Sequence, residues 1–212
     1  MSELDKGAGH LEAADLGADP LQACAGWLED ASVRSKVSFA NAVCLSTVSA
    51  DGWPQGRIVL VKSVDRRGVS FFTNYESSKG LALADVPRAA ITFYWYDLER
   101  QIRLKGCVTR LSAEESDAYF RTRTRGSQVG AWASEQSAVL DGRGTLEQRH
   151  REIEAGFSGS EVPRPTHWGG YLLAPVEIDF WQGREDRLHD RIAFRRDEAG
   201  TEGLWLAERL NP

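Results

Sequence analysis

Hydrophobic positions recur along this chain in two periods, and the change from one to the other marks its elements. Leu21, Cys24, Trp27, Leu28 and Ala31 form a stripe at helical spacing. Asp19 precedes them as an N-cap and Pro20 takes the first helical position, which predicts a helix over residues 20–32. The period then falls to two over residues 42–48, 57–64 and 69–73, with turn residues at Asp51 and Gly52 and at positions 65–68. Connections this short suit antiparallel neighbours. Ser77 can cap a helix that runs through Ala84 and stops before Pro87, and residues 89–96 and 101–111 read as strands. Ser112 with Glu115 makes a capping box for a helix towards Phe120. A basic loop at 121–125 and a polar, helix-prone region up to Gly156 follow, then strands at 172–181, 192–196 and 204–208. Six or more largely antiparallel strands with peripheral helices predict a mainly β protein, a β-barrel with Greek-key-like order and helical decoration.

No repeat or low-complexity linker divides the chain, so residues 19–212 are expected to form one domain. Residues 1–18, rich in Gly, Ala and Asp and without periodicity, are expected to be mobile unless a ligand or partner orders them. A length of 212 residues suffices to bury a substantial core, in one large domain or a tight oligomer. The net charge of −5 excludes general attraction to nucleic acid or to an anionic membrane, so any anion must be held by local Arg and Lys clusters. The first residues carry acids and glycines where a signal peptide would be basic and then apolar, and no apolar run is long enough to span a bilayer. Cys24, Cys44 and Cys107 are far apart and form no CxxC pair, which argues against zinc and against a disulfide framework. A soluble protein of the reducing cytoplasm, with no metal, is the expectation.

Four clusters carry candidate chemistry. In Arg57-Ile58-Val59-Leu60-Val61-Lys62, two cations bracket an apolar strand. Alone this reads as an ordinary strand with snorkelling ends. Strict alternation puts Arg57 and Lys62 on opposite faces, so they should serve two anions, or one site shared between subunits. The stretch from Phe71 through Phe72 and Thr73 to Lys79 is a strand entering a helix, where backbone N–H groups, Thr73 and Lys79 could cradle a phosphate; a capped turn with a surface lysine fits as well. Tyr119, Arg123 and Ser127, spaced by four, can offer a phenol, a guanidinium and a hydroxyl from one side of a helical segment, whereas Arg121 and Arg125 fall off that spacing and read as solvated. Arg187, His189 and Arg191 alternate, so an extended segment would put three potential cations on one face. They would repel one another unless an anion or an acidic partner lay between them.

The order and spacing of these clusters resemble the pyridoxine/pyridoxamine 5′-phosphate oxidase family from about Leu11 to Pro212. The motifs are R-I-V-L-V-K at 57, F-F-T-N at 71, L-E-R-Q at 98, G-S-Q-V-G-A-W at 126, E-Q-S at 135, W-G-G at 168, and F-W-Q-G with R-L-H-D-R between 180 and 191. The resemblance implies an FMN-binding split β-barrel and a homodimer with FMN at the subunit interface. It assigns FMN contacts to Arg57, Ile58, Val59, Leu60, Val61, Lys62, Phe72, Thr73, Lys79, Gln101, Gln136, Ser137, Trp181 and Arg191. The phosphate of a phosphorylated pyridine substrate would meet Lys62, Tyr119, Arg123 and Ser127, with Arg187 and His189 over the ring as the catalytic pair and dioxygen as the electron acceptor. Two departures stand out. Ser78 replaces an arginine usual in the phosphate turn, a contact worth roughly 1.5–3 kcal/mol, and residues 3–6 lack the family's substrate-covering Arg-x-x-Tyr segment. These leave open a related flavin oxidase acting on a phenazine-pathway intermediate, and a non-catalytic FMN or pyridoxal-phosphate binding protein on the same fold.

Overall fold

The computed structural model describes residues 10–196 and 204–212. Six strands, β1 (Ala42–Val48), β2 (Pro54–Asp65), β3 (Gly68–Asn74), β4 (Arg88–Trp95), β5 (Arg100–Arg110) and β6 (Trp168–Gln182), close an antiparallel barrel in the order β3-β2-β1-β4-β5-β6, with β6 pairing back onto β3. Three hairpin-linked strands and a fourth that returns beside the first make the expected Greek-key order. β7 (Asp190–Arg196) and β8 (Trp205–Arg209) continue the sheet outward from β6. Around this frame lie α1 (Ala13–Leu16), α2 (Pro20–Arg34), α3 (Ser78–Asp85), α4 (Ala113–Arg121), α5 (Arg125–Ala133) and α6 (Arg143–Gly156). None of the described helices is long and apolar enough to cross a membrane.

Alternation fills the barrel. Leu45, Phe71, Ile91, Phe93, Ile102, Ile178 and Phe180 point inward and are fully buried, each large apolar side chain contributing about 1.5–3 kcal/mol. Trp95 joins them with its indole N–H donated to the Ala40 carbonyl at 2.9 Å. A second apolar cluster, Phe120, Val129, Val162 and Trp168 with Phe72 and Tyr119 packed on it, lies with α4 and α5 rather than in the barrel core. The expected caps form: Asp19 accepts from the Leu21 N–H at 2.9 Å, Ser77 caps α3, and Ser112 and Glu115 close a capping box.

The structure corrects several boundaries. β2 begins at Pro54, three residues before the expected start, because proline is tolerated as the first residue of a strand. β6 begins at Trp168 rather than 172, since Gly169 and Gly170, which weaken the strand pattern, are needed for close packing. A Cβ on Gly169 would lie 2.0 Å from the Tyr75 hydroxyl, and one on Gly170 would lie 2.5 Å from Leu111 Cδ1. Of the segment expected to be mobile, residues 1–9 lie outside the described residues, while 10–18 are largely exposed and held at two points. α1 buries Leu16, and Leu11 donates its N–H to Asp190 at 3.0 Å.

Candidate active site

Between β2, β3, α3, α4 and α5 lies a cavity of about 590 Å³. It gathers Ile58, Val59, Leu60, Lys62, Phe72, Thr73, Lys79, Tyr119, Arg123, Ser127 and Gln136 from the expected set. Asn74, Gly130, Ala131, Ser134 and Trp168 also line it and were missed. Gly130, Ala131 and Ser134 follow Ser127 at helical offsets and so carried a readable signal. Arg57 and Lys62 part as alternation requires. Arg57 turns to Thr47 Oγ1 at 2.7 Å and the Leu45 carbonyl at 3.3 Å, while Lys62 turns into the cavity, where the β2–β3 register shifts between Val61 and Ser63. Val61 is core.

At one end of the cavity the Phe72 and Tyr119 rings stack at 4.0 Å, and Tyr119 lies nearly parallel to Trp168, with an interplanar angle of 8°. Lys62 Nζ sits 5.6 Å from the Tyr119 centroid, and the Arg123 guanidinium sits 4.6 Å from that of Trp168. Tyr119, Arg123 and Ser127 do meet at the cavity, but not on one helix. α4 ends at Arg121, α5 begins at Arg125, and Arg123 occupies the turn between them. Threonine hydroxyls favour the break: Thr122 Oγ1 donates to the Tyr119 carbonyl at 2.8 Å, and Thr124 Oγ1 to Ser127 Oγ at 2.9 Å. Burial pulls the Arg123 pKa down, and its Nη1 is buried without a hydrogen-bond partner. Arg125, read as solvated, instead ties α5 to α6 through Glu154 at 2.6 Å.

At the other end, Lys79 Nζ donates to Ser77 Oγ and to Gln136 Oε1, both at 2.9 Å, and Thr73 Oγ1 donates to the same Gln136 oxygen at 3.2 Å. The Ser78 N–H donates to Ser137 Oγ at 3.3 Å, and Ser137 holds a left-handed φ of 77°. Burial, with Arg57 nearby, lowers the Lys79 pKa to about 8. Lys62, Lys79 and Arg123 thus share a cavity that no carboxylate lines. A buried donor left without a partner costs about 1–3 kcal/mol; of these three cations Arg123 carries such a donor, whereas Lys79 is hydrogen-bonded and Lys62 is exposed.

The remaining expected residues form a second group, none of which lines this cavity. Gln101 on β5 pairs across to Trp181 on β6, and Trp181 pairs to Arg191 on β7. Arg191 is held by Asp179, with Nη2 to Oδ2 at 2.7 Å, and the His189 ring packs 4.7 Å from Trp181. The expected extended face of Arg187, His189 and Arg191 does not form. Residues Glu185–Arg187 make a 3-10 turn in which Asp186 and Arg187 adopt φ of 54° and 62°, so the side-chain alternation is lost before β7 starts. Two non-glycine residues in that region cost roughly 1–3 kcal/mol each, a feature that clusters at functional sites. Arg187 is exposed and makes no ion pair among the described residues. Trp168, in the cavity, and Trp181, in the second group, stand at opposite ends of β6, roughly 40 Å apart along an extended strand. One protomer cannot close both groups on a single small ligand.

An antiparallel barrel carries on its wall a cavity with three cations and no carboxylate among its described lining residues, a charge and size that suit a small anionic ligand. Comparison with known proteins then gives the family: the chain belongs to the pyridoxamine 5′-phosphate oxidases, whose model matches residues 30–155, and residues 168–212 match the C-terminal dimerisation region of pyridoxine 5′-phosphate oxidase. It is 53% identical over 204 residues to a pyridoxine/pyridoxamine 5′-phosphate oxidase of Cupriavidus necator, covering 96% of this chain and 94% of the relative. A protein of the same name from Burkholderia cenocepacia is 52% identical over 202 residues, covering 95% and 93%. Among solved structures, PhzG from Burkholderia lata in complex with tetrahydrophenazine-1-carboxylic acid superposes with a TM-score of 0.88 at 32% identity, covering 97% of this chain and 98% of that one. An FMN-binding protein of Nostoc punctiforme, 18% identical with a TM-score of 0.72 over 93% of this chain and all of that one, shares the fold.

Proposed function

We propose that this oxidase is FMN-dependent and converts pyridoxamine 5′-phosphate or pyridoxine 5′-phosphate to pyridoxal 5′-phosphate in the cytoplasm, with dioxygen as acceptor and hydrogen peroxide as product, the amine form also consuming water and releasing ammonia. The observation that supports it most is the carboxylate-free cavity with polar groups at both ends and a buried Arg123 Nη1 that has no partner. That donor set fits two phosphates. Lys79, Thr73, Gln136, Ser137 and the first N–H groups of α3 suit the flavin phosphate, with Arg57 adding charge from behind. Lys62, Tyr119, Arg123 and Ser127 suit the substrate phosphate, and the exposed edge of Ile58 and Leu60 gives an apolar surface between the ends. In a homodimer with the flavin at the interface, Gln101, Trp181, Arg187, His189 and Arg191 reach the same ligands from the second copy.

Bound FMN, held by Lys79, Thr73, Gln136 and Ser137, would supply the redox chemistry as a two-electron acceptor that dioxygen reoxidises, and the proton lost from the substrate's amine or hydroxyl would pass to solvent. Lys62 and Arg123 hold the phosphate away from the reacting carbon, which fixes the substrate's orientation. The stacked rings of Phe72, Tyr119 and Trp168 wall one side of that grip. His189 Nδ1 accepts the Arg184 N–H at 2.9 Å, so the neutral ring carries its proton on Nε2 and acts as a donor to substrate rather than as a base. Arg187, which makes no ion pair among the described residues, would bring a positive charge over the ring.

The likeness to PhzG favours a second reading, in which the anion held is the carboxylate of a tricyclic acid. Oxygen uptake with added FMN, comparing pyridoxamine phosphate with pyridoxamine, separates the two. A preference of about a hundredfold or more in kcat/KM for the ester is expected, from two charge-assisted contacts. Equal rates would remove the phosphate assignment. A yellow protein that consumes no oxygen with either class of substrate would be an FMN carrier, and a protein that takes up no flavin would not belong to this chemistry.

A further inference from the structure

The turn that carries Arg187 and His189 is tied down by a carboxylate that the chemistry above does not use. Asp190 opens β7 with its side chain only 4% exposed. Its Oδ2 accepts the Leu11 N–H at 3.0 Å and Arg184 Nε at 2.8 Å, and its Oδ1 accepts Arg209 Nη1 at 2.9 Å. Arg209 continues to the Leu11 carbonyl and to Glu12 Oε1, the latter at 2.9 Å. One buried carboxylate therefore gathers the N-terminal segment, the last strand and the turn. Arg184 connects this anchor to His189, because its guanidinium binds Asp190 while its backbone N–H binds His189 Nδ1. Between Arg184 and Asp190 lie the two left-handed residues, Asp186 and Arg187. Such a turn persists only where its surroundings over-determine it.

We infer that Asp190 is a positioning residue: its carboxylate clamps both ends of the 184–190 turn and so fixes how Arg187 and His189 are presented, with Leu11 and Arg209 as the clamp's outer partners. The inference rests on the reading of Arg187 and His189 as the pair that faces substrate. It also makes both ends of the described chain contributors to the site.

The test uses the full-length, FMN-loaded protein and its Asp190→Asn variant. The readouts are the His189 tautomer from ¹⁵N NMR, assigned with a His189→Gln variant, and kcat and KM for pyridoxamine phosphate. In the unaltered protein His189 should be a single Nε2–H tautomer. In Asp190→Asn it should become a mixture, with kcat down about tenfold to a hundredfold and inorganic phosphate binding in the Lys62 and Arg123 cavity within about twofold. A purely structural carboxylate would lower the melting temperature and leave the tautomer alone. If Asp190→Asn does not fold, Arg184→Met, which keeps the backbone N–H, should shift the tautomer and kcat in the same direction. An unchanged tautomer with kcat within about twofold would overturn the clamp. Absence of turnover in the unaltered protein would instead strike at the function proposed for the site, and the NMR comparison would still decide the clamp.

Discussion

The cations of the cavity and those at the β5–β7 end of the sheet are the same residue types in opposite circumstances. Along β5, β6 and β7, Arg191 meets Asp179 at 2.7 Å, Lys105 meets Glu177 at 2.9 Å and Arg184 meets Asp190 at 2.8 Å. In the cavity, Lys62, Lys79 and Arg123 face hydroxyls, an amide and aromatic rings, and no carboxylate. Paired cations hold the shape of the sheet. A buried donor without a partner, as at Arg123 Nη1, opposes folding slightly and would be compensated when an anion arrives. Arg187 is the exception at the paired end, since it makes no ion pair among the described residues.

Substitutions should separate the two regions by what they damage. Arg123→Ala should lower kcat/KM for the phosphate ester by about tenfold to a hundredfold, with a ligand-free melting temperature unchanged or higher because an unpartnered buried charge has gone. Asp179→Asn should do the reverse, lowering stability by about 1–3 kcal/mol while phosphate binding in the cavity stays the same. Calorimetric titration and thermal melts on both variants would break the comparison if they moved together.

The pH dependence of flavin binding should be a weaker effect. Lys79 is charged below a pKa of about 8 and neutral above it, so FMN affinity should fall as pH rises from that value towards the higher pKa of the phosphate-bound lysine. A loss of about tenfold between pH 7 and 9.5 is expected, read by flavin fluorescence, and Lys79→Met should flatten the profile. Stability of the ligand-free chain has the opposite sign. The folded pKa lies below the ordinary 10.5, the unfolded chain holds the extra proton in between, and stability therefore rises with pH across that window. Smallest of all, Thr73→Val removes one hydrogen bond to Gln136 and should weaken FMN binding about fivefold.

Much of the barrel was legible because period-two burial and capping residues are local signals: β1 matches its expected span, and the caps of α2, α3 and α4 formed as read. What escaped depends on distant partners. The start of β6 hid behind two glycines whose reason is Tyr75 and Leu111, and α1 exists because Leu16 finds the core and Leu11 finds Asp190. In the site, motif spacing named most of the cavity residues but could not say which cations were unpaired. Asp179 neutralises Arg191 only through the β6–β7 pairing, and no carboxylate happens to face Arg123. The positive φ angles at Asp186 and Arg187, on which the second group turns, leave no trace in hydrophobic periodicity.

The central claim is that a cavity from one copy of the chain and a turn from another make one site. Arg123→Ala, with kcat/KM down about tenfold to a hundredfold, and Arg187→Ala should be unfolded together in equal amounts, refolded with FMN and assayed for oxygen uptake at substrate well below KM. Half of the resulting dimers would be mixed, each with one intact site of two, so about a quarter of the unaltered activity should return. Activity no higher than the two separate variants, with mixed dimers shown to be present, would contradict the account.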